Sequence, residues 1–314
     1  MKVRLRDFLI TDENFIFAVV DYFHPQHGIR SILRYVPDKE GDRIRYDTRF
    51  RKCDFDVAFN FMHNVHPEWV DDVHIVPENH IREILHPPDR IAELAISDKR
   101  IFHIVDVLKR ADIPLSMMGV TGSLLPGLQN DKSDIDFVVY GNAWFRARDA
   151  IEKAKADPDI PIKPLDESMW QRIYAKRMPE LSYEEFVAHE LRKGNRGMVD
   201  GTYFDLLFVR NWDQIHNPLL RGKDGDVMQI EALVTDATFA FDNPAFYKIE
   251  HDEIDHILSY THTYSGQATE GEIIQARGIV EDLGDKKRLV IGTSREPKGE
   301  WMRSLTLLEE KNLL

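Results

Sequence analysis

Two aspartates one residue apart, Asp134 and Asp136, follow the pair Gly122-Ser123 with ten residues between Ser123 and Asp134. On a strand, side chains at i and i+2 point to the same face. The run Asp134-Ile-Asp-Phe-Val-Val-Tyr140 therefore aims both carboxylates one way, while Ile135 and Phe137 pack the other side. Carboxylate oxygens suit Mg²⁺ or Mn²⁺, hard cations that keep waters and complete their shell with substrate phosphates. Upstream, Gly122, Ser123 and Gly127 would let backbone N–H groups and a hydroxyl approach a phosphate, and a helix starting after them would add its positive end. A third carboxylate is needed to hold two cations. Asp205 is the candidate, because it stands in the apolar run Thr202-Tyr-Phe-Asp-Leu-Leu-Phe-Val209, where a charge costs stability. Its face also carries Leu207 and Val209, just as the Asp134/Asp136 face carries Val138. On neighbouring strands the three aspartates would form one acidic cluster whose repulsion bound metal relieves. The alternative for Asp205 is an ion pair with Arg210 or a cap on a nearby turn. Lys132 and Arg196 are candidate phosphate contacts. The run Arg192, Lys193 and Arg196 reads better as a solvated helix end favoured by the helix dipole than as a grip on the triphosphate or an acceptor backbone.

These residues need a sheet to hold them. Apolar residues from Pro88 to Asp112 recur at three-and-four spacing, which predicts two helices, the second capped by Asp98 and finished before Pro114. An apolar strand, PLSMMGVTGS, then runs into the glycine turn, and the aspartate strand follows it. Helices are predicted at 142–156 and at Ser182–Lys193, the latter opening with Ser182 and Glu185 in a capping box, before a strand at Thr202–Arg210. Interleaved helices and strands imply an α/β sheet. Before this core, NFIFAVVDYF and GIRSILRYV read as a β-hairpin, and the charged run Pro37–Asp56 as a solvated loop or edge strand. After it, MQIEALVTDATFAF, EIIQARGIVEDL and KRLVIGTSR predict a small barrel or sandwich over about 226–296, with a turn at Leu283–Lys286. Phe239, Phe241, Phe246, Tyr247, Tyr260 and Tyr264 in it could stack nucleic-acid bases, or else fill its core.

The 314 residues exceed one ordinary core. Three regions are expected: 1–88 (α+β with the hairpin), 89–222 (the catalytic domain) and 223–314 (β-rich, OB-like or a related barrel). A net charge of −13 disfavours a broadly basic nucleic-acid binder, so such a partner would need a local basic patch. The single thiol, Cys53, excludes an intramolecular disulfide and a cysteine zinc site. Mean hydropathy of −0.40 and the lack of any run near 20 apolar residues argue against membrane spans. The segment MKVRLRDFLITDENF lacks a signal-peptide core, so the cytosol is the expected location. His63-x-x-His66 has ligand-like spacing, but loop and surface roles fit it, His251 and His256 better.

The array Thr121-Gly-Ser123, ten residues, Asp134-Ile-Asp136-Phe137 and a later strand aspartate resembles the DNA polymerase β-type nucleotidyltransferase superfamily. The chain as a whole, with RDFLITDENFIFAVVDYFHP and THTYSGQATEGE, resembles predicted archaeal nucleotidyltransferases. The core resemblance spans Met118–Val209. Thr121 departs from it, since the pattern usually has a larger apolar residue there, and so does the long interval between Asp136 and Asp205, expected to hold two helices. The resemblance implies a polymerase-β-like mixed-sheet core with Asp134, Asp136 and Asp205 binding Mg²⁺ or Mn²⁺. Asp205 would also help activate the acceptor hydroxyl, and Gly122 and Ser123 would hold an NTP, expected to be ATP. The implied reaction is attack of an acceptor hydroxyl, with RNA as the candidate acceptor, at the α-phosphate of the NTP with release of pyrophosphate. The alternatives are a catalytically inactive nucleotide- or RNA-binding module of the same fold, or AMP transfer to a protein hydroxyl.

Overall fold

The computed structural model describes residues 2–293 and 299–314, and among these the N-terminal apolar runs form one antiparallel sheet. Its strands are β1 (Phe8–Thr11), β2 (Ile16–Val19), β3 (Ile29–Pro37), β4 (Arg43–Arg45), β5 (Thr48–Lys52), β6 (His74–Val76) and β7 (Ile81–Leu85). The hairpin expected from the sequence is β2 with β3, in which Phe17 faces Leu33. The charged run becomes the edge hairpin β4/β5 and the start of helix α1 (Phe55–Val65), whose N-cap Asp54 accepts from the Val57 N–H. One sheet face packs Phe17, Leu33 and Val36 against Ala58 and Met62 of α1. The other packs Phe8, Ile10, Ile16, Tyr35 and Phe50 around Leu125 and Leu128. This second core seats the glycine-turn loop on the N-terminal sheet.

Helices α2 (Ile91–Ser97) and α3 (Lys99–Arg110) follow the predicted periodicity, and Asp98 caps α3 by accepting from the Arg100 N–H. The second sheet comprises β8 (Met118–Val120), β9 (Ile135–Tyr140), β10 (Ile162–Lys163), β11 (Arg196–Val199) and β12 (Thr202–Val209), in the order β10-β11-β12-β9-β8. Only β9 and β12 run parallel, so the sheet is mixed, as expected. Between them lie α4 (Ala143–Lys155), α5 (Glu167–Arg177) and α6 (Tyr183–Lys193), three helices where the sequence suggested two. The unforeseen α5 buries only Trp170, so its apolar periodicity is faint. The Ser182/Glu185 capping box of α6 is present.

The chain divides into two compact units, Met1–Lys163 with Asn195–Pro218, and Pro164–Gly194 with Leu219–Leu314. This differs from the three regions read from sequence in two ways. Residues 1–88 share a unit with the aspartate sheet because Leu125 and Leu128 are buried among N-terminal strands. Helices α5 and α6 leave the sheet that flanks them and join the C-terminal unit. That unit contains β13 (Lys223–Asp236), β14 (Ala245–Glu250), β15 (Ile254–Ser259), β16 (Ile273–Asp282), β17 (Lys287–Ile291), β18 (Trp301–Ser304) and α7 (Leu305–Glu310). Pairings β13–β14–β15–β17–β16–β13 close a five-stranded ring, with β15 and β17 parallel and β18 added outside β16. The expected turn is closed by the Leu283 N–H donating to the Lys286 carbonyl at 2.8 Å. Ser294 and Arg295 of the last expected run lie outside the described residues. Tyr247 and Tyr264 are buried in this unit, Phe246 stacks on His256, and Tyr260 is exposed. No described helix is long and apolar enough to cross a membrane.

Two of the buried histidines, His74 and His189, link the fold to pH. His189 Nδ1 donates to the Glu185 carbonyl at 2.7 Å, and Nε2 accepts from the Ser304 N–H at 3.0 Å, which requires a neutral ring. Burial pushes it down to about 3, and His74, accepting from the Leu33 N–H, down to about 4. Both values lie below the ordinary histidine range, so the unfolded chain takes up protons that the native state refuses. Stability is therefore full above about pH 6.5 and falls below it, by about 2 kcal/mol per histidine between pH 7 and 5. Urea midpoints should drop across that interval, and the C-terminal unit of His189→Gln should show a flatter dependence.

Candidate active site

Parallel pairing of β9 and β12 sets Asp136 directly opposite Asp205. In-register neighbours point to the same face, so the two carboxylates share one surface, with Val138 and Val209 beyond them in a common apolar cluster. Asp134, exposed, precedes β9. Burial pushes the Asp136 carboxyl up to about 6, the charges of Asp205 and Asp134 push the same way, and Arg6 and Arg34 pull it back. Strand register thus brings together two of the three sequence-predicted aspartates, Asp136 and Asp205, while Asp134 stands outside the strand.

Gly122 lies against this cluster with a φ of +62°, and a Cβ there would stand 2.1 Å from Asp136 Oδ2. Only glycine leaves that notch open. Thr121 secures the turn: its N–H donates to the Asp136 carbonyl at 2.9 Å and its hydroxyl to the Arg6 carbonyl at 2.9 Å. The hydroxyl explains why a polar residue stands where the resembling pattern has an apolar one. No helix follows Gly122-Ser123. Residues 122–127 form successive turns instead, because Pro126 has no N–H to give and Gly127 takes a φ of +71°. What this loop could offer a phosphate is therefore turn N–H groups and the partly exposed Ser123 hydroxyl, not a helix end.

The loop is staked from several sides. Arg90 Nη1 donates to the Leu124 carbonyl at 2.9 Å, and Arg43 Nη1 to the Leu128 carbonyl at 3.1 Å and to Ser133 Oγ at 3.0 Å. Arg43 comes from the edge hairpin to which the sequence assigned no function; its role needs contacts across 85 and 90 residues that no local spacing signals.

Arg196 stands opposite Asp205 across the antiparallel β11/β12 pair, and its Nε donates to Asp205 Oδ1 at 2.7 Å. Tyr203 donates to Asp205 Oδ2 at 2.9 Å. Arg196 therefore orients the third carboxylate through this ion pair. Lys132 is exposed in the turn before the aspartates, its backbone N–H held by Asn130 Oδ1. Arg192 and Lys193 are not a solvated helix end: Arg192 pairs with Glu272, and Lys193 is buried, donating to Glu190 and to the Thr263 carbonyl. His63 is exposed and His66 stacks on Trp69, so the two do not converge.

A hard divalent cation fits the donors, which are carboxylates around an open glycine notch. Among the described residues no three His, Cys, Asp or Glu side chains close around a metal position unaided. Waters and substrate oxygens would complete the shell, as is usual for Mg²⁺.

The sequence is 38% identical over 339 aligned positions to the uncharacterised protein MJ1086 of Methanocaldococcus jannaschii, covering 96% of this chain and 99% of that protein. The chain belongs to that protein's family. No family model and no solved structure matches it. The kinship with the archaeal protein extends over both units, including the N-terminal sheet that carries the glycine turn.

Proposed function

We propose that the chain is a metal-dependent nucleotidyltransferase, which moves a nucleoside monophosphate from an NTP, ATP first among them, to an acceptor hydroxyl and releases pyrophosphate. One observation carries this reading: Asp136 and Asp205 share a face across the one parallel strand pair of the sheet, with the Gly122 notch against Asp136 Oδ2. It supports reading the glycine turn and strand carboxylates as a polymerase-β-like site. Asp134, Asp136 and Asp205 would hold Mg²⁺ or Mn²⁺, which when bound supplies charge neutralisation for the triphosphate and for the oxygens that attack and leave. The turn N–H groups at Gly122 and Ser123 and the Ser123 hydroxyl bind and orient the phosphates. Arg196 and Tyr203 hold Asp205 so that it faces the incoming hydroxyl and draws its proton as the new P–O bond forms. The bond from the α-phosphorus to the bridging oxygen breaks, and pyrophosphate departs. An OB-like reading of the C-terminal barrel makes RNA the first acceptor to try.

The test is incubation of the full chain with each labelled NTP, Mg²⁺ or Mn²⁺, and total RNA. Labelled RNA with pyrophosphate release is expected, and neither should form with the folded Asp134→Asn/Asp136→Asn double variant. Metal-dependent transfer by that variant would overturn the assignment, and label on protein in place of RNA would reassign the acceptor.

A further inference from the structure

We propose that Arg6 and Arg34, both supplied by the N-terminal sheet region, form a cationic clamp for the polyphosphate of a nucleoside triphosphate bound at Asp136. The inference deepens the nucleotidyltransferase reading and rests on it. Asp136 and Asp205, facing each other with the charge of Asp134 felt at Asp136, repel a polyphosphate, so cationic side chains are needed there as well as metal. The two cations named from the sequence do not serve: Arg196 is engaged with Asp205, and Lys132 is exposed.

Arg6 and Arg34 are differently placed. Each is partly buried, and among the described residues neither side chain makes an ion pair or a hydrogen bond. That is unusual in this acidic chain, where Arg30, Arg45, Arg51, Arg100 and Arg288 all meet carboxylates. Arg6 Nε is buried outright with no partner. A guanidinium is a rigid fork of five donors matched to phosphate oxygens, and shielding such donors from water without an acceptor is costly. The arrangement makes sense if the acceptor arrives with a ligand.

The backbone places Arg6 deliberately. Its φ of 72° is left-handed, a conformation L-residues other than glycine rarely adopt and one that concentrates at functional positions. The turn is held at both ends, by the Arg6 N–H donating to the Val19 carbonyl at 3.0 Å and by the Arg6 carbonyl accepting from the Thr121 hydroxyl. Thr121 in turn bonds the Asp136 carbonyl and immediately precedes Gly122-Ser123. Two hydrogen bonds thus connect the Arg6 turn to the aspartate strand. Arg34 lies on β3 next to Tyr35, whose ring packs with Leu125 and Leu128 beneath the same loop. The charges of both arginines are felt at Asp136, where they favour the ionised carboxylate.

The experiment is fluorescence titration of the full chain with a fluorescent ATP analogue and Mg²⁺, with ATP and AMP as competitors. Arg6→Gln and Arg34→Gln should each weaken ATP by about tenfold, while AMP changes less than about twofold. Arg6→Lys, which keeps the charge and guards against a folding defect, should fall between. Thr121→Val, which frees the Arg6 turn without removing its charge, should weaken ATP by a few-fold. If the parent chain binds ATP and the glutamine variants bind it equally well, or lose ATP and AMP in parallel, the clamp is wrong while the nucleotidyltransferase reading survives. If the parent chain binds no triphosphate with Mg²⁺ or Mn²⁺, both fall.

Discussion

Asp136→Asn should abolish nucleotidyl transfer and yet leave the metal-free N-terminal unit at least as stable as the parent at pH 8. On the proposed reaction, the catalytic half follows from losing an oxygen that would bind the metal, a loss of at least about a thousandfold in rate, or about 4 kcal/mol. The stability half follows from the electrostatics. Burial and the facing Asp205 push the Asp136 carboxyl up to about 6 from its ordinary 3.8. The native state therefore holds that proton more tightly than the unfolded chain. Its stabilising effect is full at acid pH and is lost as pH rises through about 6, after which the charge costs about 1–3 kcal/mol. Asparagine keeps the shape and removes the charge. Urea unfolding of parent and variant side by side should show the variant's gain over the parent to be larger at pH 8 than at pH 5, the histidine contribution being common to both. A variant that loses stability at pH 8 would mark Asp136 as a structural carboxylate.

Gly122→Ala should damage both activity and stability, and more than Gly127→Ala. At Gly122 a methyl group would overlap Asp136 Oδ2 at 2.1 Å, and the backbone φ of +62° disfavours any L side chain. At Gly127 the strain is similar, with a φ of +71°, but the added carbon meets only Arg90 Nη1, the end of a flexible side chain, at 3.0 Å. Left-handed strain alone costs about 1–2 kcal/mol. The difference between the variants therefore reports the clash with the carboxylate. Thermal unfolding and single-turnover transfer should rank them Gly127→Ala above Gly122→Ala in both measures. Equal behaviour would mean that the notch is not the phosphate approach.

The local features of this protein were legible wherever a short stretch of chain imposes its own geometry. The Asp98 cap, the Ser182/Glu185 capping box, the β2/β3 hairpin and the Leu283–Lys286 turn each depend on a few adjacent residues, and each is present. Period-two alternation likewise placed Asp136 on the face of β9 that also carries Val138, while Asp134 falls just before the strand begins. Helix α5 escaped because it offers one buried tryptophan and little else to a periodicity search. The expected helix after Ser123 failed for a reason visible in the sequence, the Pro126-Gly127 pair.

Residue types and spacings were enough by themselves to name the carboxylates, the glycine turn and an α/β arrangement, because alternation and turn chemistry act over a few bonds. Tertiary structure alone decided that Asp205 meets Asp136 in register, that Arg196 pairs with Asp205, and that Arg43 reaches the glycine-turn loop. These relations join residues far apart in the chain. They depend on which strands pair and on how Leu125 and Leu128 are buried beneath the loop, and neither leaves a periodic trace in the sequence.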